Sequence, residues 1–415
     1  MATKVYARRL WVLTLYSLFA FLQGWLWGVP GPMSDSFAAV YGIDGTVVQF
    51  LLNWGPIGYI VACVPFAYWL DRPGGLRGST IASMWLVTLG AALRCILFDA
   101  SPASVVLQHA SAVSVALAGP VAMAGVSILA ERWFPPGERG LATAIASEAN
   151  ILGNVASFLV GPTLVAASDD VTGMRRNSYL SLGCACVLQV AMLAYFPSAP
   201  PLPPSRSAHA SVASSTHFTL GTLRRTLGRL VANSNFVVLC AAYGLANGMS
   251  SGWSSTLNIN LSVLGYDQST AGWIGCAGVL AGNAAGLLAG RCADRRAGRK
   301  AILVWCTALA GAAAVWFALI VQGALPGVEG TPGLVQVFLS ATLIQLFINA
   351  TVPIFFELSM EATFPLSEGT VLMTMTTINN IGGMIVLFIP IQTAAGPFNW
   401  TFAGEGGGVG GCLRA

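Results

Sequence analysis

Two short charged phrases hold much of the chemistry this sequence can do. GRCADRRAGRK (290–300) carries five of the chain's twenty lysines and arginines and lies between two long apolar runs. It fits the pattern G-x-x-x-D-R-x-x-G-R-K at Gly290, Asp294, Arg295, Gly298, Arg299 and Lys300. WLDRPGGLR (69–77), about two hundred residues earlier, is a weaker copy at Asp71, Arg72, Gly74 and Arg77 that lacks the leading glycine. Topogenic charge alone accounts for one such loop; two at equivalent places imply a duplicated architecture. A small residue lets two helices approach, and the acid and bases are placed to pair with neighbouring helix ends. Such a latch breaks when two halves rock. Available partners are Glu131, Arg132, Glu138 and Arg139, and also Glu357, Glu361 and Glu368, which bracket a link without a basic residue. Glu357 and Glu361 are expected to meet Arg295 and Arg299, although solvated pairs are individually weak.

The second group is a set of polar stripes inside apolar segments. Gln23, Trp27 and Pro30 share a face, as do Ser147, Asn150, Asn154 and Ser157. Asn247, Ser250, Ser254 and Asn258 recur at helical spacing with Trp253 beside them, and Gln345/Asn349 and Asn379/Asn380 form shorter pairs. Interhelical hydrogen bonding explains any single serine. Gln23, Asn154, Asn247 and Asn379 are read as lining a central aqueous cavity. Trp27 and Trp253 are candidates to stack on a flat or cationic ligand, with packing as the alternative. Glu148 is an acid well inside an apolar segment, hence a candidate for proton coupling, or a snorkelling partner of Arg132 or Arg139. His109 stands alone. Asn260, Asn349 and Asn399 open glycosylation sequons; Asn349 lies inside an apolar run, leaving Asn260 and Asn399. The sequence contains no nucleophile elbow, phosphate loop, metal-binding histidine pair or paired catalytic carboxylates. It predicts no enzyme, no cofactor and no metal, and gives no sign of nucleic-acid binding.

Membrane helices must position these residues. The 415-residue chain is 55% hydrophobic and 9% charged, with mean hydropathy +0.71, whereas soluble domains carry about 25% charged residues. A bilayer crossing needs roughly 20 apolar residues. Spans are expected near 10–33, 46–70, 79–98, 104–130, 139–165 and 177–196, then near 234–263, 270–290, 300–323, 333–358 and 369–393. That divides the chain into a six-helix bundle (1–197), a Pro/Ser-rich extended linker (198–229), a five-span bundle (230–395) and a Gly-rich tail (396–415) too short for a twelfth span. A twelfth helix is therefore expected to be missing. The first apolar run is too long for a cleavable signal. Placing the N-terminus in the cytosol puts sixteen of the twenty basic residues on that side. The nine cysteines, scattered through apolar runs, suggest small membrane hydrophobes and no disulfide framework.

Longer phrases narrow the reading. RRLWVLTLYSLFAFLQGWLWG (8–28), WGPIGY (54–59), LRCI (93–96), ATAIAS (142–147), FLVGP (158–162), AYFPSAPPLPPS (194–205), AGWIG (271–275) and the VPIFFEL stretch from 352 resemble solute carrier family 49 of the major facilitator superfamily. The resemblance implies an all-α membrane fold of two pseudo-symmetric six-helix halves and a secondary active transporter working by alternating access. It implies a small organic, vitamin- or amine-like solute, pyridoxine among them, with proton coupling and residence in the lysosomal membrane, or alternatively the plasma membrane. Haem and choline or ethanolamine are the other solutes that the family suggests. The choline-carrying members have a tryptophan after the glutamine of the first span, where this chain has Gly24, and a seventh-span aromatic near Ser251. The short N-terminus also lacks an acidic dileucine sorting signal. A non-transporting sensor and an inactive truncated isoform are the rival readings. Membrane lipid and a small-molecule substrate are the expected partners, the chain itself being a monomer.

Overall fold

The computed structural model describes residues 4–388, except 71, 73, 166, 206–219, 294–297, 326–329, 365 and 367. Asp71, Asp294, Arg295 and Asn399 lie outside the described residues, as do the middle of the linker, the tail and any twelfth span. Among the described residues every regular element is helical. The first half contains α1 (Arg8–Gly28), α2 (Ser34–Tyr41), α3 (Gly45–Leu70), α4 (Gly75–Leu93), α5 (Pro102–Leu117), α6 (Gly119–Trp133), α7 (Pro136–Leu164) and α8 (Val171–Ala194). The second contains α9 (Leu220–Ala232), α10 (Ser234–Tyr243), a π-helical turn (Gly244–Gly248), α11 (Met249–Ser255), α12 (Leu257–Ser262), α13 (Gln268–Ala293), α14 (Arg299–Val321), α15 (Gly330–Thr363) and α16 (Glu368–Phe388). Ten described spans are long and apolar enough to cross a bilayer, with α5 and α6 joined as Pro102–Trp133; Gly221–Ala232 with Ser234–Ser255, bent by 90°, makes an eleventh when the pair is taken as one span. The expected spans match these positions.

Helix starts follow from local chemistry. Ser101 caps α5 ahead of Pro102, Asp170 accepts from the Gly173 amide at 2.9 Å to start α8, and Asn233 accepts from Phe236 at 3.2 Å to start α10. Both charged phrases end alike. Gly74 precedes α4 at φ 76° and Gly298 precedes α14 at φ 131°, a backbone region that favours glycine. The duplicated phrase thus reflects a duplicated turn, which starts the equivalent helix in each half.

Within the halves, α1 packs on α7, and the π turn and α11 pack on α16; between them, α3 meets α16 and α7 meets α13. The described ends of the stretch expected to be a solvated linker are held by specific contacts. Phe196 is fully buried, the Ser198 hydroxyl bridges the Arg77 amide and the Gly74 carbonyl at 3.0 Å each, and Lys4 donates to the Pro203 carbonyl at 3.2 Å. Its last part is the helix α9, because Leu223, Leu227 and Leu230 recur at helical spacing, and Leu227 and Leu230 find an apolar surface to cover.

Candidate functional site

A cavity of about 380 Å³ lies between the halves. Its framework is set by close helix approaches. A methyl group on Gly153 of α7 would collide with the Phe21 carbonyl of α1, and one on Gly382 of α16 with the Gly244 carbonyl of the π turn. Glycine therefore brings the two pseudo-equivalent helix pairs together, and the polar stripes flanking those contacts turn inward. Gly55 of α3 has the same effect on a side chain, since any larger residue would displace the Trp27 indole.

The lining includes nine amide side chains: Gln23, Asn150, Asn154, Asn247, Asn283, Gln345, Asn349, Asn379 and Asn380. Serines, Thr376, Tyr59, Tyr243, Trp27 and Phe158 complete much of the wall, and no charged side chain lines it among the described residues. The amides are held by their neighbours. Asn150 donates to the Ala20 carbonyl at 2.8 Å and to Gln23 Oε1 at 3.0 Å, while Gln23 reaches the Val115 carbonyl at 3.4 Å. Asn154 donates to the Asn150 carbonyl at 3.3 Å, and Trp27 Nε1 to the Leu52 carbonyl at 3.4 Å. Across the cavity Asn247 donates to Thr351 Oγ1 at 3.2 Å, Asn349 to Gln345 Oε1 at 3.1 Å, and Asn380 to the Thr376 carbonyl at 2.8 Å. Each amide so anchored keeps part of its hydrogen-bonding capacity for a solute. Asn247 sits on the π turn, a distortion frequent at functional sites.

Five expected lining residues, Gln23, Trp27, Asn154, Asn247 and Asn379, are therefore brought together. Trp253 is not among them. Its ring packs edge-on against Phe317, centroids 5.0 Å apart, in the core of the second half. One position before Ser254, it lies about 100° round the helix from that cavity-lining serine. Asn258 also departs from the cavity, as described below. Glu148 is half-buried, does not line the cavity and forms no ion pair or hydrogen bond among the described residues. Arg132 and Arg139 instead donate to the Leu70 and Phe134 carbonyls at 3.3 and 3.2 Å. Asn260 is part-buried and donates to the Thr256 carbonyl of its own helix at 3.2 Å.

At the end of the bundle that carries the basic loops, Arg299 pairs with Glu357 at 3.6 Å and with Glu361. This joins the start of α14 to the end of α15 inside one half. Arg77 likewise stays within its half, donating to the Phe196 carbonyl at 3.1 Å, and Arg72 lies over the Tyr68 ring at 4.3 Å. Arg9 bonds Glu138 at 2.7 Å, a pairing the sequence did not indicate.

The opposite end holds contacts that sequence reasoning missed. Asn258 Nδ2 donates to Ser34 Oγ at 2.7 Å and Ser36 Oγ to Gln268 Oε1 at 3.0 Å, both between halves and buried. The backbone of Gly31 presses against the Ser255 carbonyl, and Phe50 meets Phe388 with centroids 6.1 Å apart. Gly272 and Gly275 close on Phe158 on the same side. Burial raises the Asp35 carboxyl above its ordinary range, partly offset by hydrogen bonds with Asn258 and Ser34. Asp99, in contrast, is held below it by the hydroxyls of Ser101 and Ser104. Ser34-Asp35-Ser36 opens the short helix α2 outside the expected spans and carries no periodic signal, so nothing local marked it as an interface.

Comparison with known proteins agrees with this architecture. The Major Facilitator Superfamily profile matches residues 16–387. The solute carrier family 49 member 4 homolog of Xenopus tropicalis is 34% identical over 97% of this chain and 90% of its own length. Solute carrier family 49 member A3 of Danio rerio is 28% identical, over 95% and 80%. The human choline/ethanolamine transporter FLVCR2 is 29% identical, over 88% and 68%. Among solved structures, a bacterial homolog of the human lysosomal transporter Spinster, inward-facing and unoccupied, superposes with a TM-score of 0.67 at 16% identity, covering 93% of this chain and 82% of that one. The partially occluded, inward-open xylose transporter XylE of E. coli gives 0.64 at 13%, covering 92% and 91%.

Proposed function

We propose, for a chain that belongs to the major facilitator superfamily and within it to solute carrier family 49, that it moves a small, uncharged or charge-delocalised organic solute by alternating access. The chain is a membrane transporter of the major facilitator type. The observation that supports the finer reading is the cavity itself: nine amides and one tryptophan from both halves, without a charged side chain among the described residues. A fixed ionic charge at the middle of a bilayer is expensive without a counter-charge. Multiple hydroxyl or ring-nitrogen groups, in contrast, are well matched by amides that both donate and accept. A vitamin-like heteroaromatic alcohol, with pyridoxine as the first candidate, suits this lining. The lysosomal membrane is the proposed location, on family resemblance.

Choline or ethanolamine is the second reading, favoured by the names of relatives 27–29% identical. Glu148 is the proposed proton-coupling acid, and its place outside the cavity means it would act on the halves' motion, not on the solute. Counterflow in proteoliposomes decides between these readings. Preloaded unlabelled pyridoxine should accelerate entry of labelled pyridoxine, and preloaded choline should not. Trans-stimulation by choline alone would replace the first reading with the second, and none by either would remove both.

A further inference from the structure

The helix α9, LGTLRRTLGRLVA, takes no part in the transport site. At about 100° per residue, Leu223, Leu227 and Leu230 form one stripe, and Arg224, Arg225 and Arg229 occupy the opposite sector. The structure uses the leucine stripe. Leu223 and Leu230 are buried, and Leu230 with Leu227 meets a core built from Phe236 and Tyr243 of α10, Phe355 of α15 and Met375 of α16. The three arginines are exposed, and no carboxylate pairs with them among the described residues.

Orientation decides what this face meets. The helix runs at 90° to the following segment, Ser234–Ser255. With that segment taken as a bilayer crossing, the 90° bend sets α9 along the bilayer plane. The bend is fixed, because Asn233 accepts from the Phe236 amide at 3.2 Å and donates to the Ala362 carbonyl at 2.7 Å. Val231, 74% exposed, stands about 20° from Arg224 around the axis, and Val238 of α10 is 67% exposed. Exposed apolar side chains therefore stand on the flank of α9, beside Arg224, and on α10. An in-plane helix with an apolar flank and basic residues sits at the headgroup level of a bilayer. Arginine stems lie along apolar surface while the guanidinium groups reach phosphate.

We propose that the Arg224–Arg225–Arg229 face of α9 is a binding strip for anionic phospholipid headgroups of the leaflet next to the basic loops. The helix covers the ends of α10, α15 and α16, so headgroups held there brace the second half on the side where it must move. This does not depend on which solute is carried.

The test uses the full chain in phosphatidylcholine nanodiscs, with spin-labelled phosphatidylserine and phosphatidylcholine as probes. A juxtamembrane arginine favours an anionic surface by about fivefold. The wild type should therefore prefer phosphatidylserine at its boundary by at least that factor. The preference should drop at least about threefold in R224Q/R225Q/R229Q, persist in R224K/R225K/R229K, and fade near 1 M salt, where the screening length is about 3 Å. Should the glutamine variant not fold, the salt titration and the lysine variant still decide the matter on folded protein. A wild type without preference, or a folded glutamine variant that keeps it, overturns the assignment. So does a polyglutamate peptide that binds wild type but not the glutamine variant while phosphatidylserine shows no preference; the face would then serve an acidic polypeptide.

Discussion

Asn258 and Ser34, 224 residues apart in the chain, share a buried hydrogen bond of 2.7 Å that ties the two halves together at the end away from the basic loops. With Ser36–Gln268 and the Gly31–Ser255 backbone approach it forms a polar clasp. The described ion pairs at the other end each stay within one half. Hydrogen bonds thus clasp the halves at this end of the cavity, whereas the described ion pairs at the other end do not cross between them. A neutral hydrogen bond contributes about 0.5–1.5 kcal/mol. Asn258→Ala and Gln268→Ala should therefore each shift the balance toward the opposite-facing state by roughly two- to tenfold, read as distances between spin labels on the two halves. Unchanged distance distributions in both variants would exclude a clasp.

Asp35 sits in this clasp, and burial raises its carboxyl above the ordinary value of 3.8. The clasped state binds the proton more tightly than a state in which Asp35 is solvated. By linkage, the clasp is strongest at or below the ordinary carboxylate value and weakens as pH rises through the raised one. Acidifying that face from neutral pH should favour the clasped state, and Asp35→Asn should remove the dependence. The same label distances, followed against pH, report it; a dependence that survives in Asp35→Asn assigns the proton elsewhere.

Trp27 lines the cavity and Trp253 packs on Phe317. Trp27→Ala should weaken solute binding by about 0.5–2 kcal/mol, or roughly three- to thirtyfold, with Trp27→Phe in between. Trp253→Ala should leave affinity alone and lower stability by about 1–3 kcal/mol, less than for a fully buried ring. Binding and thermal-unfolding measurements on both variants would reveal the reverse pattern if the assignments were exchanged.

Gly153 abuts the Phe21 carbonyl, whereas a methyl group at Gly183 meets nothing within 4 Å. Backbone cannot swing aside, so Gly153→Ala should cost about 1–3 kcal/mol, the usual range for overpacking. Gly183→Ala should be neutral or slightly stabilising, since alanine is the better helix former. Equal melting temperatures for the two variants would show that α1 and α7 are not held at that contact.

The sequence by itself determined the spans, their duplication and the inward faces of α1, α7 and α16. Apolar length, the repeated Asp-Arg phrase ahead of Gly74 and Gly298, and the spacing of Gln23 with Trp27 or Asn150 with Asn154 are all local signals. A helix face follows from 3.6 residues per turn whatever lies opposite. The tertiary structure decided what does lie opposite. Asn258 belongs to the same periodic stripe as Asn247, yet it closes on Ser34, because α2 returns across the end of the bundle and meets it there. Trp253 stands one residue from a cavity-lining serine, yet a 100° rotation delivers it to Phe317. Leu220–Ala232 looked like the end of a linker until the ends of α10, α15 and α16 offered its leucines a surface. Such partners come from chain segments a hundred or more residues away, and periodicity within one segment carries no information about them.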